Sequence, residues 1–105
     1  MKPESNLDES PTWPYVLAFA KRMEAKLAKN RHKGDRDAWM KDDGSALFAR
    51  LEEEVDELQE SLRLCRNSIR IGNVVAFERQ GIINEAADVA NFAMMIADKF
   101  GGCEP

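Results

Sequence analysis

Cysteine is scarce in this chain: Cys65 and Cys103 are the only two. Two thiols do not make a disulfide scaffold, so a reduced, cytoplasmic protein is expected. Histidine is scarcer still, with His32 alone. One histidine and two distant cysteines exclude the ligand spacing of a zinc finger. Positive charge is not in excess: Lys and Arg number 15 against 19 Asp and Glu, for a formal charge of −4. That balance disfavours a strongly basic binder of a nucleic-acid polymer, although it leaves room for a local basic patch. No apolar run of about 18 residues occurs, so no membrane span is expected. No opening stretch joins a basic start to an apolar core, so no signal peptide is expected. Alternating strand patterns, internal repeats and low-complexity runs are missing as well.

What is there suits folding. The 105 residues are 44% hydrophobic and 32% charged. The length fits one domain. A chain this short buries only about 60–70% of its unfolded surface, so a monomer would be thinly cored. Residues 1–11 are polar, hold Pro3 and Pro11, and show no period; they read as a mobile tail. Residues 12–102 then form the folded domain.

The periodicity predicts an all-α chain. Thr12 is a candidate cap for a first helix, with Pro14 in its first turn. Val16, Phe19, Ala20, Met23 and Leu27 recur at helical spacing as far as Lys29. Residues 30–43 break that pattern with crowded charges, Gly34, and two large apolar residues, Trp39 and Met40. They read as a loop with up to one helical turn. Such a loop, holding a lone Trp and a lone His, is either a binding loop or a solvated linker with Trp39 tucked on the core. A second helix opens at Gly44–Ser45, with Ser45 a candidate cap. Its seam is Leu47, Leu51, Val55, Leu58, Leu62 and Cys65. Residues 67–73 read as a break around Gly72. A third helix starts near Val74 and reaches about Phe100. Gly81 marks a kink or a junction in it, and Gly101–Gly102 ends it.

The carboxylates are placed with more meaning than their number suggests. The second helix carries Glu52, Glu53, Glu54, Asp56, Glu57 and Glu60. At about 100° per residue, Glu54 lies roughly 40° from Leu58 and 60° from Leu51, and Glu57 lies about 60° further out. Both edge the apolar stripe. Between Ile82 and Ala97 the polar residues are Asn84, Glu85, Asp88 and Asn91. Glu85 and Asp88 share a face, with Val89 and Ile96 flanking Glu85 at roughly 40° and 20°. Packed antiparallel, the two helices would bring four carboxylates to one edge of the core. Like charges there repel and raise each other's pKa. Two compensations are open. One is a divalent cation such as Mg²⁺, with Mn²⁺ able to substitute, since both take hard oxygen ligands. The other is ion pairing with Lys21, Arg22, Lys26 or Arg50.

Glu54-Val55-Asp56-Glu57 followed by Glu85-Ala86-Ala87-Asp88 resembles the ExxE…ExxD signature of the MazG-like, all-α nucleoside triphosphate pyrophosphohydrolases. That superfamily also includes the dimeric dUTPases and phosphoribosyl-ATP pyrophosphatase. Twenty-seven residues separate Glu57 from Glu85, near the long end for the family. The wider phrases LFARLEEEVDELQESL and INEAADVANFAMMIADKF are similar to small single-domain members, and the likeness spans about residues 30–101. The resemblance implies a helical bundle working as a dimer or a tetramer of dimers. It implies Mg²⁺-dependent hydrolysis of a (d)NTP to monophosphate and pyrophosphate, a housecleaning of the nucleotide pool. Glu54, Glu57, Glu85 and Asp88 match the metal-binding carboxylates, with Glu54 or Glu57 activating the attacking water. Trp39 is the candidate for stacking on the base, and His32, Lys33, Arg36 and Asn91 are further candidate substrate contacts. Asn91, in an apolar stretch, is bonded either to ligand or within the core. Phe92 is expected beside the site. Neither cysteine is assigned a role. Two alternatives stand: a phosphoribosyl-ATP-type substrate on the same fold, and a non-catalytic helical interaction module.

Association is expected independently. Ile82, Ile83, Ala86, Ala87, Val89, Ala90, Ala93, Met94, Ile96 and Ala97 cover roughly half of the third helix, whereas packing on one neighbour needs about 100°. The excess calls for a further helix or a second subunit.

Overall fold

The structure is a computed structural model and describes residues 13–70 and 76–104, with the side chains of 13–67 and 78–104. The tail, Thr12 and Val74 lie outside the described residues. The chain is all-α. Its helices are α1 (Pro14–Lys29), α2 (Arg36–Lys41), α3 (Gly44–Arg70) and α4 (Ala76–Asp98), with a 3₁₀ turn at Arg31–Lys33. No described helix is long and apolar enough to cross a membrane.

Local chemistry explains the boundaries and corrects several expectations. Trp13 occupies the N-cap of α1 without a side-chain cap bond, and Pro14 takes the first turn, where its missing N–H costs nothing. Residues 30–43 hold more structure than a loop with one turn. Asp35 caps α2 by accepting from Arg36 N at 2.8 Å. Gly34 bridges the 3₁₀ turn and α2 at φ 137°, and a Cβ there would stand 2.8 Å from Ala38 Cβ. Only glycine takes that conformation easily. Asp43, not Ser45, caps α3: its Oδ1 accepts from Ser45 N at 3.1 Å. That helix runs through Asn67 to Arg70, so the expected break begins later. Residues 71–73 lie outside the described residues. Gly81 sits inside an uninterrupted α4. Gly101, at φ 86°, ends it: Gly102 N donates to Ala97 O at 2.9 Å and Gly101 N to Asp98 O at 3.1 Å. These paired bonds are a glycine-terminated helix cap.

Helix α4 is the centre. It packs along α3, takes α1 on another side, and receives α2 near its C-terminus. The pairings Ser61–Glu85, Glu54–Asp88 and Arg50–Phe92 step down the numbering of α3 as they step up that of α4, so the two helices are antiparallel. α1 and α2 therefore cover part of α4's wide apolar arc within the chain. Beyond Gly44 at its start, the described residues of α3 shielded from solvent are Leu47, Leu51, Glu54, Leu58, Ser61 and Cys65. This corrects the expected seam: Val55 (44% exposed) and Leu62 (45%) stand outside it, and Glu54 and Ser61 stand within it. Phe48, Val55 and Leu62, spaced by seven, form an exposed apolar row. The row is about 21 Å long at 1.5 Å per residue.

Candidate functional site

A cleft of about 310 Å³ lies where α1, α2, α3 and α4 meet. Glu54 comes to its wall from α3, Asp88, Asn91 and Phe92 from α4, Lys26 from α1, and Lys33 and Trp39 from the segment joining α1 to α3. The stripe register explains Glu54. It takes a contact position toward α4, one turn from Leu58, and so loses water on one side.

That position has an electrostatic consequence. The Glu54 carboxyl is pushed up from 4.5 to about 7, first by partial burial, then by hydrogen bonding and repulsion from Glu57 and by the charge of Asp88. The crowding forecast from the helical wheel is thus present for Glu54, Glu57 and Asp88. Glu85 stands apart, accepting a hydrogen bond from Ser61 Oγ. Asp88 has a cation of its own, Lys26 Nζ at 3.3 Å. Arg50 and Phe92 both line the cleft; Arg50 stacks 5.0 Å over the Phe92 ring and pairs with Glu53 at 3.8 Å. Among the described residues, no three or more His, Cys, Asp or Glu side chains converge into a ready-made metal site. The donor chemistry still suits a hard cation. Among the described residues, Lys26 is the one cation paired with any of Glu54, Glu57 and Asp88, and Glu54 bears the cost of their crowding.

Asn91 is 3% exposed. Its Nδ2 donates to Met23 O of α1 at 3.1 Å, which fixes the orientation of the amide. Its Oδ1 is buried with no partner among the described residues. A buried acceptor without a donor is costly, and this one belongs to a residue of the cleft wall.

The remaining candidates divide. Lys33 and Trp39 line the cleft; His32, in the exposed 3₁₀ turn, and Arg36 do not. Arg36 is engaged by Asp98 in a bidentate pair: Nε to Oδ2 and Nη2 to Oδ1, both at 2.7 Å. Trp39 Nε1 donates to the same Oδ2 at 2.9 Å. Asp98 is 2% exposed, and these donors hold its carboxyl down at about 2. Sequence reasoning passed over Asp98. Two signals were there: an acid in the last turn of a helix opposes the macrodipole, and Asp98 shares a face with Asn91, seven residues back. Ser61 was missed too, hidden by its small size among the acids.

Comparison with protein-family models, with curated proteins and with solved structures returns no match.

Proposed function

We propose that the chain is a divalent-cation-dependent nucleoside triphosphate pyrophosphohydrolase of the MazG-like type, working at the edge between α3 and α4. One observation carries the reading. Glu54, flanked by Glu57 and Asp88, shares a cleft with Lys26, Lys33, Trp39 and Asn91. Acid oxygens suit Mg²⁺ or Mn²⁺, ammonium groups suit phosphate, and an indole beside a fixed amide suits a base.

Glu54, Glu57 and Asp88 would hold the cation, joined by Glu85 once it releases Ser61. Bound there, the cation supplies positive charge to the phosphates and acidity to a coordinated water. The chain's own groups do the rest. Glu54, which lines the cleft from α3, accepts the proton of the attacking water. Water oxygen bonds to phosphorus, the α–β bridging bond breaks, and monophosphate and pyrophosphate leave. Lys33 balances phosphate charge. Lys26 does the same after exchanging its partner Asp88 for the nucleotide. Trp39 lies against the base, and Asn91 Oδ1 accepts from one of its N–H groups.

A second copy of the chain completes the assembly, as a homodimer or a tetramer of dimers. Phe48, Val55 and Leu62 offer a straight apolar row at the spacing a helix–helix contact uses.

The Lys26–Asp88 and Ser61–Glu85 contacts favour a second reading, a helical interaction module whose acids are internally balanced. Product analysis by anion-exchange chromatography separates the two. The protein meets a panel of canonical and modified NTPs and dNTPs, with Mg²⁺ and then with EDTA. Monophosphate and pyrophosphate formed only with metal is the expected result. Turnover of no nucleotide, without metal binding, would return the interaction module.

A further inference from the structure

We propose that Asp98 is a positioning residue for ligand binding: from the last turn of α4 it fixes Trp39 as the wall of the cleft on which a nucleotide base rests. The role rests on the nucleotide reading above, but the clamp itself can be measured without any ligand.

Three observations lead there. First, α2 has six residues, none of them fully buried and only Trp39 half-buried, so apolar packing holds it weakly. It is fastened instead by polar ties to the end of α4. These are the bidentate Asp98–Arg36 pair, the Trp39 Nε1–Asp98 bond, and Lys99 Nζ donating to Met40 O at 3.0 Å. Second, Asp98 Oδ2 is shared between Arg36 and Trp39. The arginine therefore holds the carboxylate in the plane that receives the indole N–H. Third, Trp39 borders both the main cleft and a smaller hollow of about 180 Å³. Its placement decides the shape of the larger one.

The location is costly for a residue with no further task. A carboxylate at a helix C-terminus meets the negative end of the macrodipole. A neutral hydrogen-bond acceptor would hold the indole N–H without that cost. It would not hold Arg36, and the ring would lose its second constraint. The depressed titration of Asp98 keeps the clamp charged across the physiological range.

The test uses Trp13→Phe protein, so that Trp39 is the one tryptophan remaining of two. Acrylamide quenching and fluorescence anisotropy of Trp39 are read without ligand, beside far-ultraviolet circular dichroism. Asp98→Asn and Arg36→Gln are expected to raise quenching and lower anisotropy with helicity retained, and Arg36→Lys to recover part of the loss. With Mg²⁺ and the dNTP that turns over fastest, Asp98→Asn is expected to raise KM roughly 5- to 150-fold, the range of one lost stacking contact, with little change in kcat. Trp39→Phe keeps an aromatic ring but cannot be held by Asp98. It serves where Asp98→Asn does not fold, and its KM should rise similarly. Unchanged quenching in Asp98→Asn, or a wild-type KM in Trp39→Phe, overturns the positioning role, as does a fall in kcat with KM unmoved. Wild-type protein that neither hydrolyses nor binds nucleotide overturns the nucleotide reading and this role with it, while the ligand-free quenching still reports whether the clamp exists.

Discussion

Glu54 and Asp98 are carboxylates driven in opposite directions by their neighbours. Asp98 meets a guanidinium and an indole N–H and drops to about 2. Glu54 meets two acids and partial burial and climbs to about 7. The linkage signs differ accordingly. The stability from Asp98 is present above its ordinary 3.8 and is lost as pH falls through about 2. The contribution of Glu54 is full below 4.5 and is lost as pH rises through about 7, when the fold must hold a third negative charge beside Glu57 and Asp88. Metal-free protein is therefore expected to lose thermal stability between about pH 5 and pH 8, and Glu54→Gln to flatten that slope. Calorimetry across the range checks both, and Mg²⁺ should raise Tm more at the alkaline end. Asn91 separates stability from function. Asn91→Leu removes an unpartnered buried oxygen, so Tm should hold or rise, while KM for nucleotide rises. A fall in Tm by several degrees would mean that the Met23 bond is what Asn91 is for.

At the scale of elements, three of the four helices and the Gly101–Gly102 terminus follow from periodicity and glycine placement. Within α3 the face was legible only to one residue. A stripe through Val55 and Leu62 and one through Glu54 and Ser61 lie about 100° apart, and hydrophobicity favours the first. Tertiary packing chose the second, the face on which Leu47, Leu51, Leu58 and Cys65 are also shielded. The short α2 was illegible for a related reason. Its anchors, Asp98 and Lys99, lie about 60 residues away, so the local sequence shows a charged loop. The acid edge could be read from two helical wheels; the Asp98 clamp could not, since it joins elements that no local pattern relates. Gly34 tests the local geometry. Gly34→Ala should cost about 1–3 kcal/mol of unfolding free energy, from backbone strain and the approach to Ala38. Leu47, 2% exposed, is the largest side chain fully enclosed in the described core. Leu47→Ala should cost about 2–5 kcal/mol by denaturant titration.

For the whole molecule, the enclosed apolar core among the described residues is small: Leu47 and Ala87. Trp13, Tyr15, Val16, Phe48, Val55 and Leu62 remain exposed. A chain so thinly cored gains by covering its outer faces with a second copy. Sedimentation at micromolar concentration is expected to give a dimer or larger species, and Val55→Lys with Leu62→Lys to shift it toward monomer. A wild-type monomer with intact helices would sink this expectation.

The central claim is that the carboxylate edge of α3 and α4 holds a divalent cation for nucleotide chemistry. Its most direct test is a Mn²⁺ titration followed by electron paramagnetic resonance, in wild type, Glu54→Gln and Asp88→Asn, with and without a non-hydrolysable dNTP analogue. Saturable binding in the wild type, tightened by nucleotide and lost in both variants at unchanged helicity, is the predicted result. Equal binding in all three proteins, or none in any of them with nucleotide present, would contradict it.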